Sequence, residues 1–162
     1  MPEVGKETTC PKEKLLVAGY CIDLVEMQAF SKGDSEFYAF GNLCKTSPDS
    51  CGVPKDYVFK EVRLRAIDNP PEALKTVLAG IEALVKNDIV VFTTSAGESV
   101  TKVKNEGYTS KGIVAWLSPF PAGEGKQMVR FEKENSFRFG LTGYGPGEGY
   151  LGSSLGYALE PL

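Results

Sequence analysis

The chain has 162 residues, 18 Lys and Arg against 21 Asp and Glu, and no histidine. Ser-His-Asp and Cys-His catalysis, histidine-bearing zinc sites and His-ligated haem are therefore excluded within one chain. A net charge of −3 argues against a dedicated double-strand nucleic-acid binder.

The length and the even composition predict one β-rich domain over residues 1–162. Residues 1–13 are polar and read as an N-terminal arm. The start has no apolar leader core, and no stretch approaches a membrane-spanning length, so no membrane span is expected. The chain is therefore read as cytoplasmic or part of an assembled particle, or else as a mature form whose signal is not shown. Residues 14–30 form a long apolar segment. Val17, Ile22, Leu24 and Val25 favour strand, while Glu26 to Ala29 also suit a helix. Ser31 to Ser35 is a turn, and residues 36–43 read as the returning strand.

Four cysteines stand at positions 10, 21, 44 and 51. They are either reduced and partly buried, or paired locally. Cys44 and Cys51 bracket a turn-rich loop, where a disulfide is geometrically plausible. There is no CxxC pair, so neither a zinc knuckle nor a thioredoxin-type centre is expected.

Residues 57–67 alternate as a strand, with Val58, Val62, Leu64 and Ala66 on one face. Phe59, Glu61, Arg63 and Arg65 occupy the other, and Lys60 breaks the apolar face once. The next segment predicts an amphipathic helix at about 70–87. Asn69 suits the N-cap, Pro70 the first turn and Glu72 the capping box. Leu74, Val77, Leu78, Ile81, Leu84 and Val85 then fall at helical spacing, and Asn87 suits the stop.

Residues 89–94 read as a buried strand, 95–98 as a turn into 99–104, and 105–111 as a polar loop carrying Tyr108. Residues 113–117 are a strand, and 127–131 with 136–142 form a hairpin. About eight strands surround one helix without βαβ alternation. The fold class is thus mainly β, a mostly antiparallel β-sandwich or barrel with one helix.

Two motifs match on paper. Gly147, Gly149 and Gly152 spell GxGxxG, but too little chain follows for a dinucleotide-binding helix and strand. Gly152, Ser154 and Gly156 spell GxSxG, which needs a helix and a histidine. No catalytic residue, metal ligand or cofactor is assigned. The carboxylates Glu61, Asp68 and Glu98 cannot be paired from sequence.

The segment 140–162 is rich in Gly and Tyr and contains no Lys or Arg. Ordering so many glycines costs entropy, so the segment needs something to pack on. Tyr144, Tyr150, Leu151, Leu155 and Tyr157 are the candidates for subunit contact.

Two functions follow. The first is a non-enzymatic structural subunit that self-assembles into a homo-oligomer. In element order the chain resembles phage tail-tube subunits, which implies ring formation; a filament subunit is the equivalent reading. The second is an OB-type single-stranded nucleic-acid binder. It would use Phe59, Arg63 and Arg65 with a second cluster of Lys102, Lys104 and Tyr108 for stacking and phosphate contact.

Overall fold

The computed structural model describes residues 8–95, 98–121, 125–134 and 136–162. Residues 1–7 of the expected arm lie outside the described residues. The protein is built from antiparallel strands in two sheets. In chain order the strands are β1 (Lys14–Val17), β2 (Tyr20–Lys32), β3 (Ser35–Phe40), β4 (Val58–Ile67), β5 (Ala79–Lys86) and β6 (Ile89–Thr94), followed by β7 (Thr109–Leu117), β8 (Lys126–Lys133), β9 (Ser136–Leu141) and β10 (Leu151–Ala158). Two short α-helices interrupt them, α1 (Glu72–Lys75) and α2 (Glu98–Asn105), with one 3-10 turn at Pro48–Cys51.

The larger sheet runs β1-β2-β4-β7-β5-β6, with β3 also on β2. The smaller runs β10-β8-β9. Backbone bridges join them: Ser118 pairs with Tyr157, and Arg65 with Leu159. The core lies where β3, β6 and β9 meet. Phe92 stands edge-on to Phe40 at 5.1 Å and to Phe139 at 5.0 Å, and Tyr38 meets Phe139 at 5.4 Å.

The mainly β, antiparallel fold is as the sequence predicts, but the amphipathic helix at 70–87 is not present. Only Glu72–Lys75 is helical, and 79–86 is strand β5. Its apolar residues fit helical spacing, yet they also serve a strand buried between β6 and β7. There both faces are covered, so no alternation betrays the strand. Asn87 ends no helix. It takes a left-handed φ of 55° in the tight turn that returns the chain as β6.

The segment 99–104, which the sequence places after a turn, lies in helix α2. Val100 and Val103, one turn apart, bury against Leu84 and Val91. The segment 14–30 is neither one strand nor part helix. Ala18 and Gly19, both at positive φ, fold it into the β1–β2 hairpin.

All four cysteines are paired, as Cys44–Cys51 and Cys10–Cys21. The sequence offered only the first of these. The second ties the arm to β2. Arg65 also holds the arm, donating to the Lys12 carbonyl at 3.4 Å. No helix among the described residues is long and apolar enough to cross a membrane.

Candidate functional site

Strand β4 carries two irregularities that decide the chemistry around it. In its pairing with β2, Met27 faces Leu64 while Gln28 faces Val62, and Ala29 faces Glu61 while Phe30 faces Phe59. Arg63 and Lys60 are thus left without an opposite residue, as in β-bulges, which re-aim side chains. Both cations converge on Glu36 of β3. Lys60 Nζ lies 2.8 Å and Arg63 Nη2 3.5 Å from Glu36 Oε2. The Glu36 and Arg63 side chains are 2% and 5% exposed.

The other carboxylate oxygen, Oε1, accepts from the hydroxyl of Tyr38 and, at 3.2 Å, from that of Tyr144. The Tyr144 ring lies over the Arg63 guanidinium at 4.1 Å. It reaches that position because Gly140 has no side chain. A Cβ there would stand 2.6 Å from the Tyr144 ring. Glu61 Oε2 is 3.3 Å from Arg63 Nε, close enough for ion pairing but out of line for a hydrogen bond.

Burial pushes the Glu36 carboxyl up, but hydrogen bonds from Lys60 and Tyr38 and the charges of Arg63 and Lys60 outweigh it and hold the pKa at about 2. Burial and the bond to Glu36 push the Tyr38 phenol up, so it stays protonated. A carboxylate held ionised beside a phenol held neutral exchanges no proton near neutral pH. The cluster is arranged to fix charge in place.

What it fixes is an edge of the smaller sheet. Phe139 of β9 turns its backbone away from β8. Its carbonyl accepts from Arg63 Nη1 at 2.8 Å, and its N–H donates to the Tyr38 hydroxyl at 3.3 Å. Side chains thus stand where a neighbouring strand would be.

The other edge, β10, differs. Near its end Tyr157 exchanges backbone bonds with Ser118 of 2.8 and 3.2 Å. Leu155 is a bulge, since Ser154 faces Val129 and Gly156 faces Met128. The alternation of an antiparallel ladder then points the N–H and C=O of Gly152 and Ser154 outward. No described residue bonds to them from that side. Residues 151–154 are exposed, Leu151 at 79%. A concavity of about 670 Å³, lined by Glu132, Lys133, Leu151 and Ser153 among others, adjoins this edge.

The sequence candidates divide accordingly. Arg63 does not belong to an outward row. The bulges give Val62 the place between Phe59 and Arg65, and turn Arg63 inward. Phe59 packs edge-on against Phe30 at 5.8 Å. Arg65 donates to the Glu160 carbonyl at 2.8 Å. Tyr108 is buried against Phe137, while Lys102 and Lys104 are exposed on α2.

Of the C-terminal candidates, Tyr144 faces inward onto Arg63. Tyr150 shares a hydrogen bond with Ser136 of 2.6 Å, and Gln127 donates to the Tyr157 hydroxyl at 3.2 Å. Leu155 packs against the main core, and Leu151 is free. Asp68 is exposed at the end of β4, and Glu61 faces Arg63; the Glu98 side chain lies outside the described residues. Glu36, Tyr38 and Lys60 are not among the sequence candidates. The one signal visible in the sequence is the break that Lys60 makes in the β4 alternation.

Among the described residues no group of His, Cys, Asp and Glu is placed to hold a metal. No known protein family, curated protein or solved structure matches this chain.

Proposed function

We propose that this chain is a non-enzymatic structural subunit that self-assembles through its β surfaces, as ring- or filament-forming subunits do. The observation that carries the reading is the uncharged edge of β10. From Gly149 to Leu159 there is no charged residue, and no proline blocks the edge. Proteins that stay monomeric blunt such edges with lysine, proline or a covering element. The buried titratable groups support the same reading, because Glu36, Tyr38 and Arg63 bond to one another and to β9.

The two disulfides fit a compartment that oxidises thiols, such as an extracellular or periplasmic space, better than a reducing cytosol. A single-strand nucleic-acid surface at these residues lacks support, since Arg63 and Tyr108 are buried and Arg65 is bound to backbone carbonyls.

Light scattering across a concentration series, with negative-stain imaging, tests the proposal. Mass should rise with concentration and imaging should show a repeating assembly. A monomer at every concentration overturns it.

A further inference from the structure

Resting on the self-assembly reading, we propose the partner and register of one contact: β10 pairs antiparallel with β10 of a second copy, about a two-fold axis at Ser153. Gly152 and Ser154 are the residues of this stretch whose outward backbone groups meet no described partner. Centring the axis on Ser153 sets Gly152 opposite Ser154 of the second copy, and the converse. Each such pair exchanges both of its N–H···O bonds, so every open group on this stretch finds a partner.

The side chains agree with this register. It sets Leu151 of one copy against Leu155 of the other. Leu151 is 79% exposed, and Leu155 is a half-buried residue of the core. Pairing covers an exposed leucine with an apolar neighbour. Gly152 adds no bulk, and the serines are small. A second copy is the favoured occupant because the two-fold sets Ser153 against itself and leucine against leucine. Such pairing is penalised wherever the strand carries charge, and this strand carries none.

The product is a six-stranded sheet across two copies. Its interface is isologous and closes on itself. A ring or filament would need a second contact elsewhere on the surface.

The test uses three variants of the full chain. The protein has no free cysteine, so Ser153→Cys introduces the one reactive thiol. In the proposed pair the two Ser153 Cα atoms stand about 4.5 Å apart, as in a non-hydrogen-bonded pair, within the range of about 4.4–6.8 Å that a disulfide spans. Mild oxidation should give a covalent dimer that reductant reverses. Ser154→Pro removes an outward N–H, a position where edge strands tolerate proline. Ser154→Lys keeps the backbone and adds charge. Both should weaken self-association by about tenfold or more, the proline by removing one hydrogen bond from each exchanged pair and the lysine by bringing two like charges into the contact, with circular dichroism unchanged.

If the wild type assembles but Ser153→Cys does not cross-link and Ser154→Lys assembles normally, the β10 pairing is overturned and self-assembly through another surface stands. If the wild type is monomeric at every concentration, both readings fall.

Discussion

The small sheet has two edges that solve the same problem in opposite ways. At β9, the outward backbone of Phe139 is bonded by Arg63 and Tyr38, which Glu36 holds in place. At β10, the outward backbone of Gly152 and Ser154 meets no described group. At Phe139 the first edge is closed by buried charge drawn from two other strands. The second is exposed and neutral. An exposed strand edge is a liability unless it is used, so the contrast separates a part of the molecule devoted to its own fold from a part open to a partner.

The comparison breaks most sharply at Arg63. Arg63→Ala leaves Glu36 short of a cation and the Phe139 carbonyl without a donor. Breaking a buried pair from one side costs about 3–5 kcal/mol. Urea unfolding should show a loss of that size. Arg63→Met with Glu36→Gln should recover part of it, because no unpaired buried charge remains. Equal losses in the single and double variants would mean that the cluster contributes through packing alone.

The next largest effects are those of the disulfides and of pH. Replacing Cys44 and Cys51 together by alanine frees a short loop and should cost about 2–3 kcal/mol, as should replacing Cys10 and Cys21. For Glu36 the folded pKa, about 2, lies below its unfolded value. The unfolded state therefore takes up protons first as pH falls. The stabilisation is complete above the ordinary glutamate range, fades below about pH 4.3, and is lost as pH passes the folded value. It amounts to roughly 3 kcal/mol. Unfolding midpoints from pH 7 to 2 should fall steeply at the acid end for the wild type, and less for Glu36→Gln.

Gly140→Ala ranks below these. Its new Cβ would overlap the Tyr144 ring, which stands 2.6 Å from that position. Overpacking of this kind costs about 1–3 kcal/mol. Differential scanning calorimetry should show a lower Tm, and the Tyr144 ring should leave Arg63.

Much of this fold can be read from local pattern, and little of the site. Runs such as Ile89–Thr94 and turns such as Ser31–Ser35 identify strands and hairpins by residue type alone. Residues 79–86 mislead because a strand covered on both faces loses its alternation, leaving Leu74, Val77, Leu78, Ile81, Leu84 and Val85 to imitate a helix. Helix α2 is not legible either, since Val100 and Val103 are a single apolar pair whose meaning lies in their packing on Leu84 and Val91. The ion cluster is harder still. Glu36 and Arg63 are 27 positions apart, and the bulges that join them are set by pairing with β2. A break in alternation at Lys60 is visible, but its meaning lies in the partner strand. The β10 edge is partly legible, because a segment without Lys or Arg lacks the usual protection of an edge.

The smallest effect on stability is expected at the open edge, and it sharpens the comparison most. Ser154 is exposed, and its outward N–H and C=O meet no described group. Ser154→Lys therefore removes nothing from the fold, and a surface change of this kind shifts stability by about 0.5 kcal/mol or less. Measured by urea unfolding at protein concentrations low enough to disfavour association, the variant and the wild type should coincide. A loss approaching that of Arg63→Ala would show that β10, like β9, is closed within its own chain, and the two edges would then be alike.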